Sequence, residues 1–293
     1  MGELVLRSYN LADSKAWRPE IEALGSKLLR LEATIDYPLG TDRFRIRHDD
    51  RDYFAFFKRL GSVRCVTAET SSGDLAGVIV AVRRSTPVGS AWYLGDLKTF
   101  EGPSPAHAET SETPPIRRPT SIGLQLIREL ERSCATDNDR AFGISMNPAS
   151  GPNRVLNLIR RTRPDADVSA QLELFSLNSE AAGDWDERLR AHLGPIGYLS
   201  LAGQKDIVVR STGEPMPLLH LQHGDATAGS RCDGGTWHEE PQPSQVHMLS
   251  TAVGSRLHAE LLAAGLEPSG SATIVSLGFS SRVDWQFVLT SDI

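Results

Sequence analysis

The chain has 293 residues, 40% hydrophobic and 23% charged, with 37 acidic against 31 basic side chains and a formal charge of -6. That length allows one large or two small domains with proper cores, and the composition is that of an ordinary globular protein. The acidic balance argues against a general nucleic-acid binder, and no apolar run approaches a membrane span. The opening MGELVLRSYN has no basic region followed by an apolar one, so no secretory signal is expected. Cys65, Cys134 and Cys232 form an odd set without paired spacing and read as reduced thiols of a cytoplasmic protein.

In chain order, LVLRSY (4–9) alternates as a half-buried first strand does. Trp17, Ile21, Leu24, Leu28 and Leu31 then mark a helical stripe, broken at Tyr37-Pro38-Leu39-Gly40. A second helix is expected from Asp49 to Leu60, with an aromatic face. Strands at 63–69 and 75–83 flank Gly73-Asp74, a hairpin signal. The next strand, WYLGDLKTF (92–100), leads through a long polar loop into RRPTSIGLQLIRELERSC. There Ile122, Leu126, Ile127, Leu130 and Cys134 recur at helical spacing behind the start signals Pro119, Thr120 and Ser121. A strand (141–146), an Asn-Pro turn, a short helix from Asn153 to Arg161 and a strand (168–177) follow. Arg117 and Arg118 beside a helix start with small residues make a ready anion site, suited to a pyrophosphate.

DLKT followed by R-x-x-S-x-G (Arg118, Ser121, Gly123) resembles the acyl-CoA-binding motif of the GCN5-related N-acetyltransferase (GNAT) superfamily. The family norm is Arg/Gln-x-x-Gly-x-Gly/Ala. Ser121 stands where the first glycine is usual, and the loop 101–116 is longer than the family's tight turn. The order strand, two helices, three strands, helix, strand, helix, strand over residues 1–178 resembles the complete family fold. The resemblance implies an α/β (α+β) architecture, a mixed, mostly antiparallel central sheet flanked by helices. Residues 1–178 would form the acyl-CoA-binding domain. Residues 179–293 would form a smaller α/β region, with strands at 207–210, 218–222, 246–250, 271–279 and 283–292 and a helix at 255–265. That order again looks like the back half of the fold, as a degenerate second copy in a tandem member would.

By the same resemblance, the backbone of Leu97, Lys98 and Thr99 would align the pantetheine arm of acetyl-CoA or another acyl-CoA. Arg117, Arg118, Thr120, Ser121, Ile122 and Gly123 would hold the pyrophosphate, with Asn153 also counted among the cofactor-binding residues. An acyl transfer needs a neutral amine, a polarised carbonyl and a protonated leaving thiolate. Asp96 is the first candidate base and Glu69, through water, the second; Asp96 also reads as a plain partner for Lys98. The family's usual tyrosine acid has no counterpart in residues 153–163. His220, His223, Cys232, His238 and His247 lie in a short span, but without paired ligand spacing they read as polar loop histidines and no metal is expected.

The resemblance implies an acyl-CoA-dependent N-acyltransferase for a small amine or amino-acid-like substrate. The alternatives are a non-catalytic acyl-CoA-binding or scaffold protein and an acyl-CoA decarboxylase-like enzyme on the same fold. Expected partners are the small-molecule amine and, in a homodimer, a second copy, with no nucleic acid and no membrane.

Overall fold

The computed structural model describes residues 4–11, 19–39, 42–48, 52–100, 119–134, 140–148, 150–224 and 235–293. From the N-terminus come β1 (Val5–Asn10), α1 (Pro19–Glu32), β2 (Tyr37–Leu39), β3 (Asp42–Arg47) and α2 (Ala55–Leu60). Next are β4 (Ser62–Glu69), β5 (Leu75–Thr86), β6 (Gly89–Thr99), α3 (Pro119–Cys134), β7 (Ala141–Met146), α4 (Arg154–Thr162) and β8 (Asp167–Leu177). The rest comprises α5 (Ser179–Leu193), β9 (Ile196–Ser200), β10 (Asp206–Val209), β11 (Pro215–Met216), β12 (Leu218–His223), β13 (Thr236–His238), β14 (Val246–Ala252), α6 (Arg256–Ala263) and β15 (Gly270–Leu277). The architecture is mixed α/β with mostly antiparallel strands. Among the described residues no helix is long and apolar enough to cross a membrane.

The chain forms two compact units, each assembled from separated segments. The first comprises residues 1–16, 61–169 and 274–281. Its strands run β1-β4-β5-β6-β7, antiparallel except for the parallel β6–β7 pair, and the second half of β15 lies beside β7. Ser276 Oγ on that half is 2.6 Å from Ser169 Oγ at the start of β8. The helical stripe of α3 covers one face: Ile122, Leu126 and Leu130 are almost fully buried against Val66, Ala68, Ile79 and Ala81. Each such side chain contributes about 1.5–3 kcal/mol. Gly77 lets α3 come this close, because a Cβ there would meet Leu126 and the Lys98 carbonyl, both at 2.9 Å.

The second unit comprises residues 17–60, 170–273 and 282–293. One sheet runs β8-β14-β12-β9-β13, with α5 and α6 supplying Trp185, Leu189, Leu257 and Leu261 to its core. In the first unit an antiparallel pair (β5–β6) is followed by a parallel pair (β6–β7), a helix (α4) and a strand (β8). The second unit repeats that order with β9–β12, β12–β14, α6 and β15. Each closing strand is exchanged: most of β8, after α4, belongs to the second unit's sheet, and half of β15, after α6, to the first's. Residues 1–178 therefore do not contain every strand of the first unit.

A second, four-stranded sheet (β11-β10-β3-β2) also departs from expectation. Tyr37–Leu39 and Asp42–Arg47 are antiparallel strands rather than a simple break, because β3 finds β10 as a partner: Ile46 stands opposite Ile207 and Phe44 opposite Val209. The helix expected from Asp49 is only Ala55–Leu60, and Asp52 accepts the Phe54 N–H just ahead of it at 2.9 Å. Trp285–Phe287 and Thr290–Asp292 are single 3-10 turns, not a strand. Asp284 accepts from the Gln286 N–H and Asp292 from the Leu289 N–H, so local side-chain acceptors replace a sheet partner.

Candidate functional site in the first unit

The site begins with an irregularity in β6. Its register against β5 passes from Val80 opposite Gly95 to Val78 opposite Lys98, so Asp96 and Leu97 stand against the single Ile79. This is a β-bulge, and Asp96 occupies it in the left-handed region with φ +50°. Aspartate tolerates that region better than most residues. On its other edge β6 pairs with β7 at Trp92/Ala141, Tyr93/Phe142 and Leu94/Gly143, and the pairing stops there. The strands part where the bulge bends β6 away.

The gap between them opens into a cleft. Leu94, Gly95 and Leu97 form one wall, and Gly143, Ile144 and Ser145 the other. Ile127 of α3 and Val155 and Ile159 of α4 close it below. Without the bulge Leu94 and Leu97 would point to opposite faces; with it both line the cleft. At one end Arg163 contacts Glu131 at 3.4 Å and clasps Asp165 through two bonds of 2.9 and 2.8 Å. The Arg163 guanidinium holds the Asp165 carboxyl down to about 2.

Several predicted residues have plain structural work here. Asp96 faces Lys98 at 2.5 Å, both largely covered, which is its plain-partner reading rather than a position in the cleft. Glu69, at the end of β4, pairs with Arg7 at 3.1 Å. Burial, and next the Glu69 charge, push the nearby Tyr9 phenol up. Cys65 is fully buried and its thiol is pushed up by burial and then by Asp96, which leaves it inert. Ile122 belongs to the core. Gly123 is buried, and a Cβ there would stand 2.6 Å from Leu158 Cδ2, so this glycine permits the close crossing of α3 and α4. Asn153 caps α4: its Oδ1 accepts from the Leu156 N–H and from Ser145 Oγ, both at 3.0 Å. Leu97 lines the cleft, Lys98 and Thr99 continue β6, and the Ser121 carbonyl accepts from Gln125 at 3.2 Å. Arg117, Arg118 and the side chain of Thr120 lie outside the described residues.

Ser145, Gly143 and Val155 were not singled out in the sequence, and Ile127 was read only as part of the apolar stripe of α3. The legible signal was Gly95-Asp96 within a strand pattern, a pair that marks a bulge.

The histidines are not loop residues. His220 is on β12, within 3.1 Å of Thr290 Oγ1, and its imidazole is pushed down to about 3, by burial first and by Arg59 second. His247 is buried on β14, accepts from the Gln242 N–H at 3.0 Å and meets the Tyr198 ring edge-on. His223 and His238 end β12 and β13, and Cys232 lies outside the described residues. Among the described residues no three metal-binding side chains converge.

No family model and no curated protein matches the chain. Among solved structures it is similar to a tandem GNAT protein from the clavulanic acid biosynthesis pathway, at 13% identity over 96% of this chain and all of that one, with a TM-score of 0.47. It is similar also to a GCN5-related N-acetyltransferase from Sphaerobacter thermophilus (10% identity, 97% and 98% covered, TM-score 0.39). A third is the Saccharomyces cerevisiae N-myristoyltransferase, solved with myristoyl-CoA (9% identity, 93% and 80% covered, TM-score 0.42). These are distant likenesses of fold.

Proposed function

We propose that the protein is an N-acyltransferase that takes its acyl group from acetyl-CoA or another acyl-CoA and passes it to a small amine. The observation that carries this reading is the bulge at Asp96 together with the cleft it opens between β6 and β7. A parted parallel pair leaves backbone N–H and C=O groups on both strand edges facing a narrow apolar gap. An extended amide-bearing pantetheine arm fits that gap as a false strand, with backbone donors to polarise the thioester carbonyl. The amine nitrogen then bonds to the carbonyl carbon and the C–S bond breaks. The amine's proton passes to a base, and the thiolate departs with a proton from solvent or a nearby hydroxyl.

A second reading is favoured by a specific feature. Both candidate bases are engaged in ion pairs, Asp96 with Lys98 and Glu69 with Arg7. A protein that binds acyl-CoA without turnover would look the same. Calorimetry with CoA and acetyl-CoA, followed by release of free thiol in the presence of a panel of amines, separates the two. Binding with amine-dependent thiol release is the expected result. Binding without release across the panel would support the non-catalytic reading, and no binding at all would remove both.

A further inference from the structure

Helix α4 turns two different faces to its surroundings. Val155, Ile159 and Thr162 line the cleft, whereas Arg154, Asn157, Arg160 and Arg161 are exposed. At 3.6 residues per turn those four fall together on the side away from the cleft. The helix has no acidic residue. Arg128, also exposed, lies on the neighbouring helix α3, whose Gly123 packs on Leu158. The nearby acids are engaged elsewhere: Glu129 with Arg132, and Glu131 and Asp165 with Arg163. Arg128, Arg154, Arg160 and Arg161 have no ion-pair partner among the described residues, on a chain whose net charge is -6. At the head of the same helix Met146 is 47% exposed, its carbonyl 3.4 Å from Asn153 Nδ2.

We infer that this face docks an acidic carrier protein, which delivers the acyl group on a pantetheine arm into the cleft on the other side of α4. The inference rests on the cleft's being the thioester site. One helix, roughly 10 Å across with its side chains, separates the docking face from the cleft wall. A protein seated on the outside can therefore pass a flexible arm around the helix. Guanidinium groups match surface carboxylates in a two-bond fork. An exposed methionine gives the adaptable apolar contact usual in protein–protein recognition. A membrane surface would ask for several apolar anchors, and this face offers one. The overall charge opposes a nucleic acid.

The test measures binding, so it needs no knowledge of the amine. A carrier protein bearing acetyl-phosphopantetheine and, separately, acetyl-CoA are titrated into the full-length protein and into the variant R154E/R160E/R161E. The three positions are exposed, and an unchanged melting temperature confirms folding; R154Q/R160Q/R161Q serves if it does not hold. The wild type is expected to bind the acetylated carrier, more weakly as salt rises. The variant should lose at least tenfold in carrier affinity, with acetyl-CoA affinity within twofold of wild type. Carrier affinity unchanged by the substitutions overturns the inference. So does a wild type that binds acetyl-CoA but not the carrier, which leaves the cleft reading intact. A wild type that binds neither thioester removes the cleft reading and the docking surface with it. Equal loss of both ligands in a folded variant assigns the arginines to the free nucleotide and also overturns carrier docking.

Discussion

A methyl group at Gly123 would stand 2.6 Å from Leu158 Cδ2, closer than carbon atoms approach without displacement. Gly123→Ala therefore forces the end of the Leu158 side chain to move, and with the helix-propensity gain of about 1 kcal/mol set against the overpacking cost it is expected to destabilise the first unit by no more than about 2 kcal/mol. Adding Leu158→Ala should return part of that, and a double-mutant cycle in urea measures the coupling. For the same reason Gly123→Asp would be a poor probe of anion binding, since it disturbs a helix crossing first. At Asp96 the backbone is left-handed, and asparagine is one of the few residues at ease there. Asp96→Asn should keep the bulge but leave the covered Lys98 without this carboxylate, costing about 1–2 kcal/mol. If Asp96 is the base, amine-dependent turnover should also drop roughly a hundredfold with CoA affinity intact. A wild-type rate in this variant would pass the role to Glu69 or to water.

Strand β12 illustrates how an element acquires a pH dependence. His220 is packed against the turn Thr290–Asp292, where Gln222 bonds Ser291 at 3.0 Å and Arg59 of α2 donates to the Ser291 carbonyl. With its pKa pushed down to about 3 in the fold and near 6.5 when unfolded, His220 stays neutral in the native protein at pH values where the unfolded chain is protonated. Its contribution is thus fully present above about pH 6.5 and is lost as pH falls toward 3. The slope approaches about 1.4 kcal/mol per pH unit in that window. Urea midpoints at pH 7 and pH 5 should differ more in the wild type than in His220→Gln; equal differences would show that His220 does not titrate this way.

At the scale of the molecule, the exchange of closing strands decides how the chain can be divided. The first unit needs residues 274–281 beside β7, and the second uses residues 170–177 beside β14. A chain ending at residue 178 lacks the strand that carries Ser276 and exposes an unpaired edge of β7. It is expected to be insoluble or to lose cooperative unfolding, whereas the same segment coexpressed with residues 179–293 should recover. A monomeric, cooperatively melting 1–178 fragment would show that the exchange is dispensable.

Elements with local cause were readable in the residues themselves. The stripe Ile122–Leu126–Leu130 marks α3, the alternation in residues 168–177 marks β8, and Gly73-Asp74 marks the turn between β4 and β5, because each depends on neighbours a few positions away. The helix start at Pro119 and the existence of α4 were visible for the same reason, whereas Asn153, read as a cofactor-binding residue, is the cap of α4. What only the tertiary structure decided involves partners far apart in the chain. Asp42–Arg47 becomes a strand paired to β10, more than 150 residues ahead, and the second half of β15 joins the sheet of β7 while its first half stays with the second unit. The cleft belongs to this second class. Its shape follows from one extra residue in β6 opposite Ile79, and a bulge is defined by the strand across from it, which no periodicity along β6 alone can count.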